Sequence, residues 1–142
     1  MKLPAKVNYA CRAVLELAVR YNGEMPVQMA IVSKAQNISK GFLTQLFIRL
    51  RTAGIVKSAR GVEGGYFLAR RPSQISLADI FRAIDDSIIE IPKAAIQGSI
   101  NYNKLITGIW NEISSDVVKR LEGISLESLV IKLKSEQPVY FI

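Results

Sequence analysis

The sequence predicts a mainly α-helical fold with one small β-hairpin and, in its second half, one long helix. Three features of the 142-residue chain support this prediction. Residues 39–53 carry apolar side chains at helical spacing and run into Gly54, which is a helix-stop residue. Residues 55–70 contain two short apolar segments around a glycine-rich turn, which is typical of a hairpin. Residues 104–122 continue a helical pattern of large apolar side chains.

Two further helices are expected before residue 39. The apolar stripe of the first consists of Val7, Ala10, Cys11, Val14, Leu17, Ala18 and Tyr21, with Arg12, Glu16 and Arg20 on the other side. This helix is expected to end near Asn22-Gly23. Pro26 precedes a second helix over residues 27–36, and Asn37 is suited to a left-handed turn.

The third helix and the hairpin after it are the most informative part of the chain. Ser39 is the expected N-cap. Leu43, Leu46, Phe47 and Leu50 form the expected buried stripe, and Lys40, Gly41, Thr44, Gln45, Ile48 and Arg51 face outward. The strands are expected at 55–60 and 66–70. This order of a helix, a glycine stop and a basic hairpin is typical of a winged helix-turn-helix. In that fold the third helix enters the DNA major groove, and the hairpin loop, called the wing, lies along the flanking backbone.

Residues 70–73 are the expected internal boundary, which divides the chain into a winged helix-turn-helix core at 1–72 and a helical dimerisation and effector region at 73–142. Two similar phrases, ISLADIFRAI at 75–84 and ISLESLVIKL at 124–133, share a serine helix-start signal. The long helix between them carries an apolar stripe of Leu105, Ile106, Ile109, Trp110, Ile113, Val117, Val118 and Leu121. This stripe either packs on its own domain or pairs with its copy in a second chain, and we favour the second alternative because dimeric regulators read two half-sites.

The charge distribution also favours nucleic acid as a partner. Residues 1–71 contain 12 Lys and Arg against 3 Asp and Glu, whereas residues 72–142 contain 7 against 9. The net charge of +7 therefore originates in the half that holds the helix-and-hairpin pattern. Neutralising DNA phosphates is the simplest use of such a half.

Composition argues against an enzyme and against a membrane protein. The chain has no histidine, no phosphate-binding loop of the P-loop type and no cluster of metal-ligating residues. No uncharged apolar run approaches the roughly 18 residues that a membrane span needs. The N-terminal segment does not have the pattern of a signal peptide, and the single cysteine fits a reducing cytoplasm.

The segment QNISKGFLTQLFIRLRTAGIVKSARGVEGGYFLARRPSQISLADIFRAID, residues 36–85, resembles the Rrf2 family of bacterial transcription regulators. The similarity extends to KVNYACRAVLELA in the first helix, to the Trp110 helix and to ISLESLV, so it covers nearly the whole chain. The resemblance implies a homodimer with a winged helix-turn-helix and a long crossing dimerisation helix, whose stripe would use Ile106, Ile109, Trp110, Ile113, Val117 and Leu121.

The resemblance also implies which residues contact DNA. These are Ser39, Lys40, Phe42, Thr44 and Gln45 in the recognition helix, and Arg60, Gly61, Gly64 and Gly65 in the wing. Arg49 and Arg51 are further candidates for phosphate contacts on the basis of their charge. A glutamine bonds bidentately to adenine, a serine or lysine at a helix start holds phosphate, and a wing arginine suits a narrow minor groove. Gly64 and Gly65 are expected to adopt positive φ near the duplex. Phe42 belongs equally well to the core, and Arg49 and Arg51 are equally well solvated or ion-paired.

Two departures from the family pattern change what is expected. The usual wing RGPGGGY reads RGVEGGY here. The carboxylate of Glu63 at the wing tip repels phosphate unless it turns outward or accepts from a cytosine amino group. Cluster-binding members carry three cysteines in the loop before the dimerisation helix, whereas residues 91–103 contain none, so we expect a cluster-free member without a cofactor. Cys11, on the apolar stripe of the first helix, is expected to be a buried inert thiol, with a redox switch, an intersubunit disulfide or a two-chain metal site as alternatives.

The sequence thus predicts a homodimeric, sequence-specific transcription regulator, a repressor more readily than an activator, that binds a palindromic operator. Its signal is open: a small metabolite, a protein effector or oxidation of Cys11. The alternative is a winged-helix module that binds protein through Ile48 and the apolar C-terminal tail, without specific DNA binding.

Overall fold

A computed structural model describes residues 3–23, 25–62, 64–85 and 100–136 of the chain. Within these ranges the elements are α1 (Ala5–Val19), α2 (Met29–Gln36), α3 (Lys40–Thr52), β1 (Val56–Ala59), β2 (Gly65–Leu68), α4 (Leu77–Ile84), α5 (Ile100–Glu122) and α6 (Leu126–Glu136). The mainly helical fold with one small hairpin is therefore confirmed. No helix in this part of the chain is long and apolar enough to cross a membrane.

The helix-turn-helix formed by α2 and α3 follows from local sequence signals. Asn37 adopts the left-handed conformation, with φ of 53°, and ends α2. The Ser39 hydroxyl accepts a hydrogen bond from the Phe42 N–H at 3.3 Å, so it caps α3 as the sequence predicts. The buried side of α3 consists of Leu43, Leu46, Phe47 and Leu50, which is the predicted stripe.

The hairpin is antiparallel, with Val56 opposite Leu68 and Ala59 opposite Gly65. An isolated antiparallel β-bridge beside the hairpin was not predicted: the Val27 N–H donates to the Tyr66 carbonyl at 2.8 Å, and the Tyr66 N–H donates to the Val27 carbonyl at 2.9 Å. A Cβ on Gly65 would lie 2.2 Å from the Val27 carbonyl oxygen, so this position needs glycine for close backbone approach. The positive φ predicted at Gly64 and Gly65 is wrong, and that conformation occurs at Gly61, with φ of 112°.

One hydrophobic core joins the first and second halves of the chain. Val7, Val14, Phe47 and Leu50 share it with residues from beyond the predicted boundary. Those later residues are Ile75, Ile80, Phe81, Ile84 and Leu126. A 3-10 turn at Pro72–Gln74 lies at the boundary, and apolar packing continues across it. The division at residue 72 therefore remains a prediction about function, whereas the packing is continuous.

The two repeated phrases start helices, as predicted, and they also pair with each other. The Ser76 hydroxyl accepts from the Asp79 N–H at 3.2 Å, and the Ser125 hydroxyl accepts from the Ser128 N–H at 3.1 Å. The Leu77 N–H donates to the Ile124 carbonyl at 2.9 Å, and the Leu126 N–H donates to the Ile75 carbonyl at 2.9 Å. The start of α4 is thereby joined to the turn between α5 and α6.

Candidate nucleic-acid interface

The exposed side of α3 divides into three strips, because residues four and seven apart lie above one another on a helix. The strip opposite the core, which we call the outer face, contains Gly41, Gln45 and Ile48. The flank toward the hairpin contains Lys40, Thr44 and Arg51, all exposed. The flank toward α1 and α4 contains Phe42 and Arg49.

The hairpin flank presents cations and hydroxyl groups beside the wing. The Arg51 Nη1 donates to the Ser58 Oγ of β1 at 3.4 Å, which holds this guanidinium near the hairpin. The Thr44 hydroxyl donates to the Lys40 carbonyl at 2.8 Å, so its proton is used within the helix. Its methyl group and oxygen lone pairs still face outward, as does the Lys40 ammonium. This flank therefore carries two exposed positive charges, Lys40 and Arg51, and Arg51 is bonded to the hairpin.

The other flank is tied to the rest of the chain. Phe42 is 38% exposed and meets Tyr9 edge-to-face, with ring centroids 5.7 Å apart, so it lies outside the core and rests on α1. The Arg49 Nη1 donates to the Ile84 carbonyl at the end of α4 at 3.0 Å. These two side chains therefore contact α1 and α4, whereas the bonds of Thr44 and Arg51 lie within α3 and to the hairpin.

The wing tip is exposed and its base is braced. Arg60 and Gly61 are exposed, and Val62 is 96% exposed. The Gln28 amide donates to the Val62 carbonyl at 3.1 Å, which ties the tip to the start of α2. A Cβ on Gly64 would lie 2.4 Å from the Ala59 carbonyl oxygen, so Gly64 is required by the tight turn. Glu63 lies outside the described residues.

A hydrogen-bond network that the sequence did not reveal holds α2 against α1. Arg12, expected on the solvent side, donates from Nη2 to the Gln36 carbonyl and from Nε to the Gln36 side-chain oxygen at 3.3 Å. The Gln36 amide in turn donates to Glu16 at 2.9 Å. The Arg12 guanidinium lies 5.6 Å from the centroid of the Tyr9 ring, the ring that supports Phe42. The polar face of α1 thereby positions the turn that precedes α3.

A second surface of interest is the apolar stripe of α5. Leu105, Ile106, Ile109, Trp110 and Ile113 are between 43% and 61% exposed in the single chain. Val117 is half-buried, and Leu121 packs against the core of its own chain. α5 therefore packs on the core of its own chain at its C-terminal end, and the apolar face before this end is exposed in the single chain.

Cys11 is partly buried beside the core. This burial raises the pKa of the Cys11 thiol from 9.0 to about 11. The thiol is therefore protonated at neutral pH, and protonated thiols are poor nucleophiles and poor metal ligands. An inert thiol is consistent with this pKa.

An exposed helix face that includes Gln45, beside a braced and basic hairpin, is the arrangement of a winged-helix DNA-binding transcription regulator and not of an enzyme. Residues 3–132 match the model of the Rrf2 family, described as an iron-dependent transcriptional regulator, and the chain belongs to this family. The HTH-type transcriptional regulator IscR of Aliivibrio salmonicida is 36% identical over 138 residues, which cover 96% of this chain and 82% of that protein.

Two solved structures have a similar fold over nearly their full length. The structure of T. potens IscR has a TM-score of 0.78 and 29% identity, and covers 99% of this chain and 94% of its own. The structure of CymR (YrzC), the global cysteine regulator of B. subtilis, also has a TM-score of 0.78, with 30% identity, and covers 93% of this chain and 98% of its own.

The residues of this chain do not fit a thiolate-bound iron centre of the kind that the family description suggests. The chain has one cysteine and no histidine, whereas iron–sulfur clusters need several thiolate or imidazole ligands. Among the described residues, no group of three or more His, Cys, Asp or Glu is arranged to hold a metal. Most of the loop in which cluster-binding members carry their cysteines, residues 91–99, lies outside the described residues, and its sequence contains no cysteine.

Proposed function

We propose that this protein is a cytoplasmic homodimer that represses transcription by binding a palindromic operator. Each protomer reads one half-site with the outer face of α3, while the wing contacts the flanking backbone. The observation that supports this proposal is the exposure of the outer face and hairpin flank of α3, together with the exposed Arg60 in the wing. Repression is favoured because occluding a promoter requires only tight placement on DNA.

The base contacts are assigned to the outer face and the phosphate contacts to its borders. Gln45 is exposed on the outer face, where its amide can bond bidentately to adenine. Ile48 is 47% exposed there and suits a thymine methyl group, a contact that the sequence analysis did not assign. Lys40 and Arg51 on the hairpin flank of α3, and Arg60 directly after β1, are exposed and suit phosphates or the narrow minor groove.

The dimer is assigned to the exposed part of the α5 stripe. Five large apolar side chains along one face of a helix are a costly surface to leave in water. Pairing with the same stripe of a second copy buries them and gives the twofold symmetry that a palindromic site requires. Leu121, which packs on its own core, serves the monomer fold in this arrangement.

The effector that regulates DNA binding is proposed to be something other than an iron–sulfur cluster, because the chain has one cysteine and no histidine. We infer that the effector is a small metabolite or a protein bound in the region of residues 73–142. The raised pKa of Cys11 argues against oxidation of Cys11, the third alternative.

The test is selection of bound duplexes from a random pool, followed by mobility shifts at several salt concentrations. We expect Gln45→Ala to relax the preference at one base pair in each half-site, and Arg60→Ala to weaken binding by about 1–3 kcal/mol. Lys134→Ala, which removes one charge from the exposed side of α6, is the matched control and leaves binding unchanged.

The alternative function, a protein-binding module that uses Ile48, predicts a different result. Such a module selects no sequence from the pool, and its weak DNA binding does not depend on Gln45. A sequence profile unchanged by Gln45→Ala contradicts the assignment of the outer face.

A further inference from the structure

Helix α4 is held at both of its ends by other elements. At its start, two backbone hydrogen bonds of 2.9 Å join residues 75–77 to residues 124–126, in the turn between α5 and α6. At its end, the Lys6 ammonium of α1 lies 3.3 Å from the carboxylate of Asp85, and the Arg49 guanidinium of α3 donates to the Ile84 carbonyl. α4 thus lies between the proposed dimerisation region and the recognition helix.

The bond from Arg49 is suited to this place. Ile84 is the last residue of α4, and the carbonyls of the last turn have no partner within the helix. A guanidinium there satisfies one of them and complements the negative end of the helix dipole. The N···O distance of 3.0 Å joins groups 35 residues apart, so the bond fixes tertiary geometry.

Arg49 and Phe42 connect one flank of α3 to α4 and α1, in addition to the core packing of its buried side. They lie on the same flank, seven residues apart, which is about 10 Å along a helix. Phe42 rests on Tyr9 of α1, and Arg49 is bonded to α4. Gln45 lies between these two positions on the adjacent outer face. With side chains about 5–6 Å from the helix axis, a rotation of about 10° moves the Gln45 amide by about 1 Å, which is enough to break a hydrogen bond to a base.

We propose that Arg49 is a positioning residue and not a DNA contact. Its bond to the Ile84 carbonyl couples the rotation of the recognition helix to the position of α4. The backbone bonds at the start of α4 couple α4 in turn to the α5–α6 turn. A displacement of α4 by an effector therefore alters base recognition without touching the DNA-contacting side chains. This inference rests on the proposed function for its effect on DNA, whereas the link itself is a property of the free protein.

The experiment compares Arg49→Ala and Arg49→Lys with Arg60→Ala and with Lys134→Ala as the charge control. We expect Arg49→Ala to lower the affinity for the selected operator about tenfold to a hundredfold, and the affinity for random duplex by less than about threefold. The slope of log affinity against log salt stays at the wild-type value. Arg60→Ala makes this slope shallower by about 0.9 for each phosphate that the variant no longer neutralises. Arg49→Lys restores part of the operator affinity, because an ammonium retains one donor for the carbonyl.

Hydrogen exchange of the free protein tests the link without DNA. Arg49→Ala should accelerate amide exchange in the last turn of α4 and in the C-terminal half of α3, with the melting temperature reduced by only a few degrees. Unchanged exchange in α4 overturns the link, even if the wild-type protein binds no specific DNA. A salt slope that becomes shallower as in Arg60→Ala, or an equal drop in affinity for operator and random DNA, shows that Arg49 contacts phosphate or acts only on stability, and either result overturns the proposal.

Discussion

Replacing Trp110 by alanine should dissociate the proposed dimer. Trp110 lies on the α5 stripe and is 54% exposed in the single chain. A tryptophan side chain presents up to about 250 Å², so about 135 Å² remains to be covered by a partner. At about 25 cal/mol per Å², complete burial contributes about 3 kcal/mol per protomer, and about 6 kcal/mol for the two copies.

The expected change in affinity between protomers follows from this energy. Complete burial corresponds to about four orders of magnitude in the dissociation constant, and burial of half the area corresponds to about a hundredfold. We expect the measured rise to lie between these limits for Trp110→Ala. Trp110→Phe retains most of the apolar area and should cost much less. Met25→Ala, which removes a side chain that is 63% exposed outside α5, should leave the dissociation constant unchanged.

The assay is sedimentation over a concentration series, together with the intrinsic fluorescence of the wild type. Trp110 is the only tryptophan of the chain, so its emission reports this one surface. Dilution through the dissociation range should shift the emission toward that of a solvent-exposed indole. A monomer at every concentration, or a dimer whose dissociation constant Trp110→Ala changes by less than about twofold, refutes the assignment of the stripe.

The remaining predictions concern α3, the cysteine and iron. Gly41→Ala should stabilise the fold by up to about 1 kcal/mol, because alanine favours helix and its Cβ would meet nothing within 4 Å inside the chain. The same Cβ would point toward the duplex, so operator binding should weaken. Equal or tighter binding contradicts this role. Because the pKa of Cys11 is raised from 9.0 to about 11, the fold favours the neutral thiol, so stability should fall as the pH rises through this range. For the same reason alkylation of Cys11 at pH 8 should be about a hundredfold slower in the folded than in the unfolded protein, and similar rates would exclude the burial. The purified protein should be colourless, with operator affinity unchanged by iron chelators, and a visible absorption band typical of iron–sulfur proteins would contradict this prediction.

Local signals in the sequence were sufficient for the recognition helix. The buried stripe of α3, the Ser39 cap and the left-handed Asn37 each depend on residues within one or two turns, so spacing and residue type predict them. The serine starts of α4 and α6 belong to the same class.

Contacts between distant residues were not predictable in the same way. Arg12 was expected to face solvent because its own helix gives no sign of Gln36, and Arg49 was grouped with DNA contacts because the Ile84 carbonyl is 35 positions away. Gly65 illustrates a different limit. A glycine serves either positive φ or close backbone approach, and only the β-bridge between Val27 and Tyr66 distinguishes the two.

The shared core has a consequence for how this regulator can evolve or be engineered. A fragment that ends at residue 72 lacks Ile75, Ile80, Phe81, Ile84 and Leu126, so the apolar sides of α1 and α3 are left open to water. Residues 1–72 therefore do not form an independent DNA-binding module. When this segment is fused to a foreign sensor domain, we expect its exposed apolar surface to cause aggregation. Diversification of the signal has to proceed by substitutions and loop changes within the intact chain, and chimeras should be joined beyond α6.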